Sequence, residues 1–169
     1  VDVESDPLRR YPLGPMGSHL LGYVGEISDK ELEDPRYVDY LRGDLVGRMG
    51  VERQYEKVLR GVDGKRFVEV NALGRKAELL GDKRPILPKR GTDLTLTVDL
   101  ALQRAAEEAF EPGQRGAVVA IDPRNGDVLA LASRPNYDPN ELATGISFKR
   151  WKELSEGENH ALFNRAIQA

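Results

Sequence analysis

Two unbroken apolar runs, Ala117-Val118-Val119-Ala120-Ile121 and Val128-Leu129-Ala130-Leu131-Ala132, dominate the hydropathy pattern. Runs of this length suit strands buried on both faces, although periodicity alone leaves a buried helix open. The punctuation between them, Asp122-Pro123-Arg124-Asn125-Gly126, favours strands. Pro123 pre-sets φ at the second position of a type I turn, and Asn125 or Gly126 can take the left-handed conformation that closes a hairpin with a bulge. The pattern predicts a β-hairpin at the centre of a sheet covered on both faces.

Other elements follow in chain order. Val1-Asp2-Val3-Glu4 alternates and reads as the end of a strand. Pro15 is placed to start a helix over 16–24. Ser28 with Glu31 forms a capping box, and Asp34-Pro35 restarts a helix through Leu41, ended by Gly43. Beyond Gly47 and Gly50, the positions of Val51, Tyr55, Val58 and Leu59 predict one amphipathic helix closed by Arg60-Gly61. Residues 67–72 alternate as a half-exposed strand with Gly74 at the turn, and 76–80 can pair with it. The polar, proline-bearing stretch 81–91 reads as a domain boundary. After it come a strand at 94–97 and a helix capped by Asp99, with Leu102, Ala105 or Ala106, and Ala109 inward. Residues 135–140 read as a rigid loop, and a helix is expected from Ser147 to Leu154.

Composition narrows the function classes. A net charge of −3 and a pI near 5.5 argue against a nucleic-acid binder. The longest apolar runs fall far short of a membrane span, and with no cysteine both disulfides and Cys-ligated metals are excluded. The two histidines, His19 and His160, lack any paired metal-ligand spacing and read as surface or packing residues. No glycine-rich phosphate loop is present, and no Ser is followed three positions later by Lys. The residues alone describe a two-part α+β chain without an intact catalytic constellation.

Several blocks, in order, are similar to those of class B penicillin-binding proteins of the elongation type. They are Arg10-Tyr11-Pro12 with Gly22-Tyr23-Val24-Gly25, and the segment 47–56 (GRMGVERQYE) with Leu59-Arg60-Gly61. Then come Leu96-Thr97-Val98-Asp99 with Leu102-Gln103, residues 117–133 with Asp138-Pro139-Asn140, and finally Leu162-Phe163-Asn164-Arg165-Ala166. The family's Pro-Gly before the first transpeptidase strand is Arg90-Gly91 here. The resemblance implies an α+β architecture. Residues 1–91 correspond to an incomplete, non-catalytic pedestal of dimerisation type. Residues 92–169 correspond to the opening of a transpeptidase domain, a hairpin of its central antiparallel sheet plus helices.

The family consists of membrane-anchored peptidoglycan D,D-transpeptidases acting on the outer side of the cell membrane. They cross-link stem peptides through a serine acyl-enzyme and are trapped by β-lactams. No cofactor is implied. The nucleophilic serine is expected just beyond Ala169, so no catalytic residue is assigned here, and the chain by itself is expected to be inactive. A membrane glycosyltransferase of the shape, elongation, division and sporulation family is the implied partner. The residues that match are expected to be structural. Gly50, Glu52, Tyr55, Arg60 and Gly61 would set pedestal packing and the junction with the catalytic domain. Asp138 and Asn140 would brace a loop beneath the active site, and Asn164 with Arg165 would order the segment leading to the serine. A non-catalytic pedestal-like adaptor and a division-type transpeptidase are the alternatives.

Overall fold

The computed structural model describes residues 8–65, 68–70, 76–79 and 85–168. The chain divides into two compact units, residues 1–56 with 95–169 and residues 57–94.

The first unit opens with a single helical turn, α1 (Ser18–Leu21), shorter than the helix expected over 16–24. Gly22 ends it at φ 80°, and the chain turns into strand β1 (Val24–Glu26). The capping box holds as read. Ser28 Oγ accepts from the Glu31 N–H and Glu31 accepts from the Ser28 N–H, opening α2 (Asp29–Leu32). The Arg48 guanidinium, 2.5 Å from Glu31, together with Ser28 pulls the Glu31 carboxyl down to about 2. Asp34 caps only a 3-10 turn, Pro35–Tyr37, where a helix through Leu41 was expected. Val38 and Leu41 are exposed there, so no packed face extends the turn.

Strand β2 (Leu45–Gly47) pairs antiparallel with β1, Val24 opposite Gly47 and Glu26 opposite Leu45. Three-residue strands are too short to show a period of two, so neither was foreseen. Helix α3 (Gly50–Gln54) then ends at Tyr55 (φ −111°, ψ 20°), and α4 (Glu56–Leu59) begins anew. The single amphipathic helix expected here is therefore broken in two. Tyr55 and Val58 are both 41% exposed, so the supposed inner face buries little.

In the second unit, β3 (Val68–Val70) and β4 (Lys76–Leu79) form the expected antiparallel pair, with a register shift between Val68 and Glu69. Isolated bridges Val62–Lys89 and Lys65–Ile86 bring the flanking segments together. The turn at Gly74, the strand expected at 1–4 and residues 81–84 of the boundary stretch lie outside the described residues.

Where the chain re-enters the first unit, residues 94–97 run without forming a ladder strand, in contrast to the expectation. The segment still meets the later chain through Thr97 Oγ1, which donates to Val128 O, and just beyond it Asp99 N donates to Leu129 O. Asp99 caps α5 (Leu100–Glu108) through the Leu102 N–H. The expected hairpin is present as β5 (Gly116–Ile121) and β6 (Val128–Arg134). Its turn closes through Gly126 N–H on Asp122 O, with Gly126 at φ 82° and a register shift at Ala120/Ile121.

Two expectations fail here. The hairpin is not covered on both faces throughout: Val118 and Ala120 pack with Ala106, Ala130 and Ala132, while Val119 and Ile121 are exposed. The inner face of α5 also differs. Ala106 is buried as expected, but Leu102 and Ala109 are exposed, and Gln103 and Glu107 are buried in their place. Beyond β6, Asp138 caps α6 (Pro139–Ala143), a helix where a loop was expected, and Ser147 caps α7 (Phe148–Glu156), as expected. Tyr23, Tyr137, Leu142, Leu154 and Ala161 form the largest apolar cluster, with Met49, Ile146 and Leu162 packed against it.

Gly22 and Gly50 mark a close backbone crossing between α1 and α3. A Cβ at Gly22 would overlap the Met49 carbonyl, and one at Gly50, whose φ is 57°, would overlap the Leu20 carbonyl. The left-handed conformation alone costs an alanine about 1–2 kcal/mol, and the overlap adds to it. Gly50→Ala is therefore expected to destabilise the first unit by about 3 kcal/mol or more in denaturant melts. Gly14→Ala, also at positive φ but with nothing within 4 Å of the added carbon, should lose only about 1 kcal/mol. Equal losses would rule out the crossing as the cause.

Candidate functional site

Polar side chains buried inside the first unit tie residues 8–56 to residues 95–168 at three places. The first is centred on Glu52, 4% exposed on α3. Its Oε1 accepts from Arg9 Nε at 2.6 Å and from the Tyr11 hydroxyl at 3.2 Å. The same hydroxyl accepts from the Val24 N–H. Burial, followed by the Glu52 charge, pushes the Tyr11 phenol far above its ordinary value, so it stays a neutral donor. Tyr11 also pairs through its backbone with Asn140: its N–H donates to Oδ1 at 2.9 Å, and its carbonyl accepts from Nδ2 at 3.0 Å. Asn140 is held for this by Asp138, whose Oδ1 accepts from both the Asn140 N–H and Nδ2.

The second tie is centred on Glu107 of α5, 6% exposed. Oε1 accepts from the Gly17 N–H at 2.9 Å and from Gln103 Nε2 at 3.2 Å. Oε2 accepts from Asn136 Nδ2 and lies 3.3 Å from Arg134 Nε, an ion pair without hydrogen-bond alignment. Gln103 one turn earlier pairs with Leu131, accepting from its N–H at 2.8 Å and donating to its carbonyl at 2.9 Å. The buried polar face of α5 thus supplies the outer edge of β6 with the partners that another strand would give.

The third tie runs through Ser18 and His19. The Tyr137 hydroxyl donates to Ser18 O at 3.0 Å, Asn164 Nδ2 donates to His19 O at 3.2 Å, and His19 Nε2 lies 3.1 Å from Pro135 O. Asn164, 3% exposed, also accepts from the Ala166 N–H. Arg165 donates its N–H to Ser133 Oγ, and its guanidinium covers the carbonyls of Asn159, His160 and Phe163.

Of the residues singled out in the sequence, Glu52, Asp138 and Asn140 therefore meet through Tyr11, while Asn164 and Arg165 meet α1 and β6. Gly50 begins α3 at the close crossing. Tyr55 stands apart, exposed at the end of α3. Arg60 pairs with Asp63 at 3.0 Å, and Gly61, at φ 78°, leaves no room for a Cβ beside the Lys89 carbonyl. Tyr11, Gln103, Glu107 and His19 were missed as junction residues. Their one signal is the spacing of Gln103 and Glu107, four apart and flanking Ala106 on one helical face.

Chemically these networks hold backbone rather than attack it. Among the described residues no serine hydroxyl is hydrogen-bonded to a histidine or lysine, the pairing an activated nucleophile needs. A cavity of about 320 Å³ beside Phe110, Arg115, Arg134 and Pro135 carries no such pair either.

Their loss should read out as stability. Glu52→Ala strands the Tyr11 hydroxyl and is expected to cost about 2–3 kcal/mol, whereas Tyr55→Ala, at a half-open position, should cost less than about 1 kcal/mol. Gln103→Leu orphans both the N–H and the carbonyl of Leu131 and should cost about 3 kcal/mol. Urea melts of each variant check the ranking, and a Tyr55→Ala loss equal to that of Glu52→Ala would refute it.

The sequence profile of the penicillin-binding protein dimerisation domain matches residues 1–96, and that of the penicillin-binding protein transpeptidase domain matches residues 116–169. The peptidoglycan D,D-transpeptidase MrdA of Acinetobacter baumannii is 42% identical over 168 residues, covering 99% of this chain and 24% of the relative. MrdA of Escherichia coli is 42% identical over 172 residues, covering 99% and 26%. The chain thus spans about a quarter of the length of these curated relatives. Among solved structures, Pseudomonas aeruginosa PBP2 in complex with WCK 5153 aligns with a TM-score of 0.74 at 40% identity, over 94% of this chain and 30% of that one. PBP2 in complex with MreC from Helicobacter pylori gives 0.76 at 36% identity, over 96% and 29%. Profiles, relatives and folds agree: the chain belongs to the penicillin-binding proteins, and specifically to the elongation-type class B group that includes MrdA and PBP2.

Proposed function

We propose that this chain is part of a peptidoglycan D,D-transpeptidase of cell elongation. The observation that carries the reading is the succession of a dimerisation-domain match and a transpeptidase-domain match along one chain, with relatives named for that activity at 42% identity. The reaction is acyl transfer. A serine expected beyond residue 169 attacks the carbonyl of a D-Ala-D-Ala bond, and D-Ala leaves with the serine's proton. The acyl group then passes from the serine ester to an amine on a neighbouring strand, whose proton restores the hydroxyl. β-Lactams mimic the dipeptide and remain on the serine.

Within that protein, residues 1 to about 91 act as the pedestal and those from about 92 as the opening of the catalytic domain. The Glu52–Tyr11–Asn140 network joins the two, Asp138 holding Asn140 in place. Asn164 and Arg165 set the path of the chain toward the serine. Gly50, Arg60 and Gly61 shape pedestal turns, and Tyr55, being exposed, serves as contact surface rather than core. The protein works at the outer face of the cell membrane, anchored by a segment outside this chain. Its partners are a membrane glycosyltransferase of the shape, elongation, division and sporulation family and an MreC-like protein, the latter supported by the Helicobacter pylori complex.

Fluorescent penicillin tests the reading. The full-length protein should carry label through denaturing electrophoresis, and residues 1–169 alone should carry none, because a serine without its base and orienting groups keeps little rate advantage. Label on any serine of this chain, or none on the full-length protein, would overturn it.

A further inference from the structure

His19 is 3% exposed, and its ring meets the Tyr137 ring edge-on, centroids 5.1 Å apart at 84°. A carbonyl can only accept, so the contact with Pro135 O puts the ring hydrogen on Nε2 and leaves Nδ1 as the lone-pair nitrogen. Nδ1 is buried without a partner. Through its ring, its own carbonyl and the carbonyl of Ser18, this two-residue stretch gathers Pro135, Asn164 and Tyr137. No other part of α1 touches both the loop after β6 and the segment at 164–168 through hydrogen bonds among the described residues.

We infer that His19 is a positioning residue for the transpeptidase reaction: with its neutral imidazole on Pro135 O and its backbone carbonyl on Asn164 Nδ2 it clamps the loop after β6 to the segment at 164–168, and protonation at Nδ1, by driving the ring out of the interior, releases the clamp. The inference rests on the transpeptidase reading, since only there does the 164–168 segment lead to the serine. A proton on Nδ1 would place a charged N–H in the interior with nothing to accept it, and such a group is expensive to bury. The charged groups around it do not remove that cost. Glu107 on α5 attracts the proton, but its carboxylate is already engaged by Gly17, Gln103, Asn136 and Arg134. Arg165 from the 164–168 segment repels it. Glu52 on α3 is turned to Arg9 and Tyr11, and the Tyr137 phenol is held neutral by burial.

Burial of the ring holds the imidazole below its ordinary 6.5. The neutral form is therefore the one the fold prefers. Its contribution to stability is complete above about pH 6.5 and is lost as pH falls through and below that value.

The test uses full-length protein, comparing wild type with His19→Gln and His19→Ala. Glutamine can donate toward Pro135 O and does not titrate. Acylation by fluorescent penicillin should slow several-fold in wild type between pH 7.5 and 5.5. In His19→Gln the ratio of the two rates should fall toward one, and His19→Ala should be slower than His19→Gln at pH 7.5. Identical pH profiles for wild type and His19→Gln would overturn the inference. Hydrogen exchange on wild type alone gives a second reading that needs no variant to fold. After correction for intrinsic rates, amides of Ala166 and Gln168 should lose protection at pH 5.5 while those of β5 and β6 keep theirs. Unchanged protection at 166 and 168 would likewise overturn it. If penicillin labels nothing at any pH, the transpeptidase reading fails, and the exchange result decides the clamp on its own.

Discussion

An unpaired strand edge in a protein interior must find donors and acceptors, and much of the first unit is arranged to supply them to β6. On one side β6 has β5. On the other it has Thr97, Asp99 and the Gln103 side chain, each bonded to a different backbone group. Meeting that demand turns the inner face of α5 polar, and a polar inner face brings Glu107 inside with it. Glu107 must then be satisfied in turn, which it achieves by accepting from Gly17 at the start of α1. The docking of residues 8–56 onto the hairpin is, in this sense, a consequence of leaving β6 at an edge.

The two carboxylates buried among the described residues, Glu52 and Glu107, behave alike. Each sits on a helix, and each collects an arginine and at least one neutral donor from another segment of the chain. Removing one partner leaves the others buried with unmet hydrogen-bonding capacity, so such nodes are costlier to break than their net contribution suggests. They also carry orientation. The paired bonds between Asn140 and the backbone of Tyr11 admit one relative position of the two segments, which apolar packing around Tyr23 and Leu142 would not impose by itself.

Local signals were legible in the sequence wherever they were local in fact. The capping box at Ser28, the caps at Asp99 and Ser147, and the hairpin at 116–134 with its Gly126 turn depend on neighbours within a few positions. The inner face of α5 was misread because periodicity assigns leucine to the core, whereas here the core face needed an amide for Leu131. Strands of three residues, such as β1 and β2, leave no pattern to read. The polar ties were illegible for another reason: their partners lie far apart in sequence, and a single sequence does not pair Tyr11 with Asn140. The family resemblance gave the order of the parts, and it pointed to Glu52, Asn140 and Asn164 without the contacts that make them matter.

Those separations bear on how the chain comes together in time. Asn140 meets Tyr11 across 129 positions and Asn164 meets His19 across 145, with the whole of residues 57–94 intervening. Closing so large a loop is thermodynamically mild, about 0.6 kcal/mol for each doubling of its length, but contacts of this range slow the search for them. On a ribosome, residues 8–56 emerge long before Pro135, Asn140 and Asn164, the partners that tie them to the rest of the unit. Glu52 can meet Arg9 and Tyr11 at once, but the backbone of Tyr11 and both polar ties of His19 must wait for residues 135–164, so this unit cannot be completed progressively as it is made.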